Sequence, residues 1–399
     1  MQKIRVKLFC KFIIILCWFV CGMCGANVSL NSFNQSTEVN QTRHAKWFPF
    51  YTIGRFLNTP CEGKNKLLGT CVLNGECQSA GGIVTGTCKS NTRQAICCIY
   101  QQTCASTTSE NNTYFVNPNY PDLWNGVSQT CSLNVQPAEN VCQLRIDLLD
   151  FSLAPPSGDG TCNTDVISIT GSATNVPTLC GDNAGQHLYV DFDGTNPITI
   201  AIKTTSSYTF GRHWNIRVAQ ITCDSEYKAP SGCLQYHRNP SGIIRSFNYG
   251  SSPNSIPNAV GVEGSRQIAN LNYGICIAAS AGSCSITYSP LSSDPYSFTL
   301  SGDVGGVDVT MLGSATLQEQ TCTTDYLIIP DPSQTGVRLS SGGDRFCGLG
   351  LTATTSNVLP YVLYVITDSN EALDIGNRGF ALNYAQNVCP VISTATSTI

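Results

Sequence analysis

Six cysteines at positions 104, 131, 142, 162, 180 and 223 are followed by six more at 233, 276, 284, 322, 347 and 389, and this doubled frame limits the chain more than any other feature. The neighbouring text repeats too. TCNTDVISIT, Thr161 to Thr170, returns as TCTTDYLIIP, Thr321 to Pro330. Cys142-Gln143-Leu144-Arg145-Ile146 matches Cys284-Ser285-Ile286-Thr287-Tyr288, and Leu179-Cys180-Gly181 matches Phe346-Cys347-Gly348. Ala219-Gln220-Ile221-Thr222-Cys223 matches Ala385-Gln386-Asn387-Val388-Cys389. Cysteines matched in order and in context mean an internal repeat. Two copies of one domain, 104–223 and 233–389, are joined by 224–232, with a tail at 390–399. Short β-branched runs such as Val166-Ile167-Ser168-Ile169, Ile198 to Ile202 and Tyr361 to Val365 lie between Gly, Asn and Pro turn signals. That rhythm predicts antiparallel β-sandwiches, and no window of helical period competes from Cys104 onward.

The first residues bear on the compartment. Lys3, Arg5, Lys7 and Lys11 precede an apolar run from Phe12 to Cys24, and Cys24-Gly25-Ala26 supplies small exit residues. This is the layout of a secretory signal peptide over 1–26, and the run is short for a retained membrane anchor. No later segment is apolar enough to span a membrane. Of 22 cysteines, four (Cys10, Cys17, Cys21 and Cys24) leave with the signal, and the even remainder suits disulfides in an oxidising compartment. The predicted location is extracellular. Asn27, Asn34, Asn40 and Asn111 head N-x-S/T sequons and are candidate glycan acceptors. A net charge of −4 without a basic patch gives no support to a nucleic-acid partner. Charged residues make up 12%, about half the roughly 25% of an average globular protein, which suits exposed sheets built from hydroxyl and β-branched residues.

Residues 27–60 read as a polar, glycosylated lead-in that ends in the aromatic cluster Trp47-Phe48-Pro49-Phe50-Tyr51. Cys61, Cys71, Cys77, Cys88, Cys97 and Cys98 then crowd into 61–98, a unit with too few apolar residues to fold without staples. Neighbouring strand residues face opposite ways, so Cys97 and Cys98 can send two bridges to opposite sides. Six cysteines ending in Cys-Cys, with Gly86-Thr87-Cys88 before them, resemble the clip module of arthropod extracellular proteins. That resemblance implies the pairs Cys61–Cys97, Cys71–Cys88 and Cys77–Cys98.

The repeated domain has a resemblance of its own. Cys104, then Asn117-Pro118-Asn119-Tyr120-Pro121, then Cys131 looks like the opening of a CUB domain. Cys162-Asn163-Thr164-Asp165 followed by alternating apolar residues, closed by Cys180-Gly181, looks like its Cys-x-x-Asp strand and Cys-Gly hallmark. The second copy keeps the frame with longer loops and has Phe247-Asn248-Tyr249-Gly250 in place of a clean Pro-Asn-Tyr-Pro. Phrases such as FGRHWNIRVAQITC and RQIANLNYG are similar to insect secreted proteins with such domains. The resemblance implies an all-β fold: two disulfide-bonded antiparallel CUB-like sandwiches of jelly-roll type after the small disulfide-rich module. It also implies bridges Cys104–Cys131 and Cys162–Cys180, leaving Cys142–Cys223. By analogy the second copy would pair Cys233–Cys276, Cys322–Cys347 and Cys284–Cys389.

Many CUB domains hold Ca²⁺ with three acids: a Glu after the strand before Cys-x-x-Asp, that Asp, and an acid in a late loop. In the first copy Ala154 stands at the Glu position and Lys203-Thr204-Thr205-Ser206 supplies no late acid, so Asp165 is expected to accept loop N–H bonds instead. The second copy lacks the Glu in Tyr296 to Ser301 but keeps Asp325, and Thr367-Asp368-Ser369-Asn370-Glu371 places Asp368 at the late position. Asp325 and Asp368 are therefore the candidate Ca²⁺ ligands, in domain 2 only; for Asp325 too the favoured role is loop N–H acceptor. Asp191-Phe192-Asp193-Gly194 echoes an EF-hand start without its later ligands and reads as a hairpin turn.

His44, His187, His213 and His237 fall in no zinc or protease motif, and no GxSxG or GDSGG occurs, so no catalytic residue is expected. His213 beside Trp214 reads as a packed strand residue. The predicted role is a secreted, non-catalytic binding or scaffold protein that engages an extracellular protein or glycan, bivalently through its two copies. The alternative is a non-catalytic regulatory cofactor of an extracellular serine-protease cascade.

Overall fold

The disulfide-rich module begins with strand Pro60–Glu62 and continues through Leu68–Leu73, a short helix Asn74–Ser79, Ile83–Thr87 and Ala95–Gln102. The coordinates form a computed structural model that describes residues 59–390, except 65, 89–94, 126–127, 206–210, 258–260, 262, 301–311, 313–315, 319–321, 340–342 and 373–375. The expected signal, most of the lead-in with its aromatic cluster, three of the four sequons (Asn27, Asn34 and Asn40) and all but the first residue of the tail lie outside the described residues.

Three disulfides, Cys61–Cys97, Cys71–Cys88 and Cys77–Cys98, hold the module. Cys97 and Cys98 are both buried on strand Ala95–Gln102, which pairs antiparallel with Leu68–Leu73 on one side. The expected module end at Cys98 falls inside that strand. Its last residues, Tyr100 to Gln102, pair in parallel with Thr113 to Phe115. The module and the first sandwich therefore share one eight-stranded sheet and have no linker between them. Tyr114 seals the junction: its hydroxyl accepts from Leu68 N at 2.8 Å and donates to Leu68 O at 3.0 Å.

In the first sandwich that sheet continues through Thr113–Val116, His213–Thr222, Val141–Ser152 and His187–Asp191. Its partner sheet runs Ser106–Thr108, Thr130–Val135, Ile198–Thr204, Asp165–Thr170. The period of two explains the core. Trp214, Ile216 and Val218 face inward, while His213, Asn215 and Arg217 face outward. The second sandwich repeats the arrangement. One sheet contains Cys233–His237, Asn272–Ile277, Tyr361–Ile366 and Tyr326–Ile328; the other is built on Ser241–Arg245, Gly379–Val388 and Ser283–Pro290.

Bridges occupy matching places. Cys104–Cys131 and Cys162–Cys180 have counterparts in Cys233–Cys276 and Cys322–Cys347. Cys142–Cys223 ties the ends of two neighbouring strands, as Cys284–Cys389 does in the second copy. The opening phrase of the repeat keeps its partner as well: Asp165–Thr170 pairs with Ile198–Thr204, and Tyr326–Ile328 with Tyr361–Ile366.

The connecting segment 224–232 is docked rather than free. Gln143 receives Ala229 N on Oε1 at 2.8 Å and gives Nε2 to Ala229 O at 3.2 Å. Both sandwiches lie in one compact unit, Arg55–Ile399, and a polar seam joins them. Asn248 N donates to Asn183 Oδ1 at 2.8 Å, Asp182 N to Asn248 Oδ1 at 3.0 Å, and Gln186 Nε2 to Ser246 O at 3.0 Å.

Candidate functional site

Each Cys-x-x-Asp aspartate sits just before its strand core at one end of its sandwich, and burial gives each the same problem. A carboxylate out of water must be hydrogen-bonded and neutralised. Asp165, 1% exposed, accepts Ala154 N on Oδ2 at 2.9 Å, the kind of loop N–H bond expected of it. It also accepts a bidentate guanidinium that sequence reasoning did not single out. Arg212 Nε reaches Oδ2 at 2.6 Å and Arg212 Nη2 reaches Oδ1 at 2.8 Å, with Arg212 only 2% exposed. A fixed cation thus sits in the first copy, and Asp165 belongs to no metal cluster among the described residues.

The second copy builds the same end from acids. One carboxylate oxygen each from Asp325, Asp368 and Glu371 lies within 4.8 Å of the others. Asp325 and Glu371 are fully buried and Asp368 is half-buried. The loop after Tyr361–Ile366 is shaped by its own side chains. Asp325 Oδ1 accepts Asp368 N at 2.8 Å, Asp368 Oδ1 accepts Asn370 N at 2.7 Å, and Asn370 Oδ1 accepts Ala372 N at 2.9 Å. Gln267 Nε2 donates to Glu371 Oε2 at 2.9 Å. Glu371 was missed as a site residue because the family pattern seeks its third acid ahead of Cys322. The signal was its place three residues after Asp368.

The cluster offers three carboxylate oxygens, the kind of ligand a hard cation of the Ca²⁺ type takes among its roughly six to eight. The residues fit such an ion. The other close grouping among the described residues, Cys61, Cys71 and Cys88, consists of disulfide sulfurs and offers no thiolate. Beside the acidic loop a crevice of about 450 Å³ opens between the sandwiches, lined by Thr161, Val176, Thr178, Asn270 and Asn272 among others. Asn270 N donates to Asp368 O, which ties the crevice wall to the cluster.

The remaining sequence candidates settle elsewhere. Asp191 ends strand His187–Asp191 and accepts Gln143 Nε2 at 2.8 Å, while Asn196 N closes on Asp193 O at 3.1 Å around Gly194 at φ +60°, a turn. Asn111 accepts Gln220 N on Oδ1 at 2.8 Å, and its sequon partner Thr113 is fully buried on a strand. His213 lies on the outer face of its sheet with Nε2 at 3.1 Å from Asp150 Oδ1. His187 and His237 meet across the seam with ring centroids 4.9 Å apart. Tyr236 presents both its N–H and its carbonyl to His187 Nε2, each at 3.1 Å, so the direction of the bond follows the ring's tautomer. Burial, aided by the Arg145 charge, lowers His187 to about 4; burial, then His187 and Arg145, lowers His237 to about 3.

Residues 230–387 match the family model of the animal CUB domain. A CUB domain is found there. No curated protein matches the chain. Among solved structures, the CUB1-EGF-CUB2 region of rat MASP-1 aligns at 12% identity and TM-score 0.25, covering 70% of this chain and 99% of that one. The corresponding human MASP-1/3 domain aligns at 13% and 0.23, covering 69% and 98%. The full extracellular region of zebrafish Gpr126/Adgrg6 aligns at 12% and 0.26, covering 74% of this chain and 38% of that one. Among the described residues no helix is long and apolar enough to cross a membrane.

Proposed function

We propose that this chain is a secreted, non-catalytic scaffold that binds an extracellular protein or glycan through its two CUB-like sandwiches. The observation that carries the reading is the rigid frame. A shared sheet, a bonded seam and nine disulfides hold the loops of 60–389 in one array. An ordered array loses little conformational freedom on binding, which favours affinity. We read 61–98 as clip-like, because Cys-Cys at its end feeds two bridges in opposite directions, and the chain as of the insect secreted type. The signal-like 1–26 and the bridges support export, and Asn27, Asn34, Asn40 and Asn111 are its proposed glycan sites.

Asp325, Asp368 and Glu371 are the proposed Ca²⁺ ligands of the second copy, where the ion would neutralise buried carboxylates and stiffen the loop beside the crevice. The test is capture of extracellular partners by the glycosylated protein, with Ca²⁺ and with EGTA, alongside broad hydrolase assays. A single partner recovered in proportion to bait supports binding; robust turnover in the assays would overturn the non-catalytic reading. The module fused to the first sandwich favours a second role, as cofactor of an extracellular protease cascade. A capture that recovers no protease or protease homologue removes that reading.

A further inference from the structure

The acidic cluster of the second sandwich is roofed by a loop of the first. Glu371 N donates to Asp159 O at 3.2 Å, Ala269 N to Gly160 O at 3.0 Å and Ser265 N to Gly158 O at 3.3 Å. Asn254 Nδ2 adds a bond to Pro156 O at 3.0 Å. Gly160 has φ +79°, and a Cβ there would overlap Glu371 Cγ, so the Glu371 side chain lies directly against first-sandwich backbone. Gln267 approaches the same carboxylate from within the second sandwich. It is 3% exposed, gives Nε2 to Glu371, and keeps its own Oε1 buried with no hydrogen-bond partner. A buried amide oxygen left over beside a carboxylate cluster calls for an explanation, and a cation supplies one. Asp159 Oδ1, in the roofing loop, is likewise buried with no hydrogen-bond partner.

We propose that this cluster is the joint between the sandwiches. A hard divalent cation of the Ca²⁺ class, held by Asp325, Asp368, Glu371 and Gln267 Oε1, locks the Ser157–Gly160 loop of the first sandwich onto the second. The proposal rests on the cation reading of the cluster given above and adds its consequence.

The coupling has a definite source. Asp325 and Asp368 are bonded to each other within the second sandwich, whereas Glu371 is also held by the first, through its N–H to Asp159 and its packing on Gly160. Undocking the loop loosens Glu371 and weakens the site, so the ion binds the docked state better. A ligand shifts an equilibrium by its differential affinity, and here that difference is the fixed position of one carboxylate. Without the ion, three clustered carboxylates repel one another and push Glu371 toward the seam.

Hydrogen exchange of the full-length protein, in EGTA and then in millimolar Ca²⁺, tests this, with binding followed by calorimetry. The amides of Ser265, Ala269 and Glu371 donate directly to the roofing loop and report its docking. The expected result is Ca²⁺ binding with slowed exchange at 157–160, 265–269 and 367–372 together. Glu371→Gln keeps size and hydrogen-bonding ability while removing one charge. It should weaken Ca²⁺ on the order of tenfold or more and erase the response at 157–160. Protection confined to 367–372 would overturn the joint and leave the cation site standing. No binding and no protection anywhere would remove the cation reading and the joint with it. A folded Glu371→Gln variant that binds Ca²⁺ like the parent would also overturn the joint. If that variant fails to fold, the exchange comparison on the unaltered protein still decides.

Discussion

In the first sandwich the repeated aspartate, Asp165, is clasped by Arg212; in the second its counterpart, Asp325, lies among Asp368 and Glu371. The arginine itself has not been lost. Arg378 stands one residue before the last strand and eleven before Cys389, as Arg212 stands before Cys223. Its guanidinium turns to Glu263 at 3.4 Å and to the Gly376 carbonyl, and lies over the Tyr296 ring at 4.9 Å. Two copies of one frame therefore treat the same buried carboxylate differently. One carries a covalent, permanent cation. The other gathers three acids, Asp325, Asp368 and Glu371, at the same end.

The sharpest way to break the comparison is to remove the built-in cation. Arg212→Met leaves Asp165 buried and uncompensated, and should cost about 3–5 kcal/mol in the first sandwich. Denaturant unfolding followed through Trp124 and Trp214, both in that core, measures it. Adding Asp165→Leu should restore most of the loss, because an apolar pair replaces a buried ion pair at little net cost. A single-variant loss under about 1 kcal/mol would mean that water reaches Asp165.

The second copy should answer to the solution instead. Asp325→Asn keeps an oxygen for Asp368 N while removing one of three like charges, so in EGTA its stability should match or exceed the parent's. In Ca²⁺ at a hundred times Kd the parent should gain roughly 2.7 kcal/mol that the variant lacks. Equal melting temperatures for the parent with and without the ion would show that the acidic end does not answer to the solution.

What could be read in the sequence follows from what is local or repeated. Short β-branched runs such as Ile198 to Ile202 and Tyr361 to Val365 announced strands, and matched cysteines announced two copies of one frame. Asp325 could be picked out by its place three residues after Cys322, and Asp368 only as the late-loop acid that the resemblance implies. Glu371 could not be, since its carboxylate joins the others only after the loop closes through Asp368 and Asn370. Arg212 looked like any charge before a strand, although counting back from Cys223 and Cys389 picks out both arginines. The shared sheet was invisible for a different reason. Parallel pairing of Tyr100 to Gln102 with Thr113 to Phe115 leaves no turn or alternation to mark it.

The seam offers a smaller test, where one histidine comes from each copy. His187 and His237 are lowered to about 4 and about 3, against 6.5 in an unfolded chain. Between those limits the unfolded state binds more protons, so stability is full above about pH 6.5 and falls as pH drops toward 4. Each histidine should account for on the order of 2 kcal/mol by pH 4.5. His237→Phe should flatten the slope of stability against pH by about half. An unchanged slope would mean that the acid response comes from carboxylates alone.

The smallest effect belongs to the remaining described histidine. His213 and Asp150 form a pair at 3.1 Å whose side chains are 28% and 43% exposed, on the outer face of a sheet. Solvent screening and side-chain entropy leave such a pair little net value, so His213→Gln should cost less than about 0.5 kcal/mol at any pH. The contrast with Arg212, the residue immediately before it, is the useful part. Adjacent positions on one strand entry should differ several-fold in effect because one side chain points into the sandwich end and the other into water. A large loss at His213, or a hydrolytic activity that disappears with it, would reassign the outer face from solvated surface to working site.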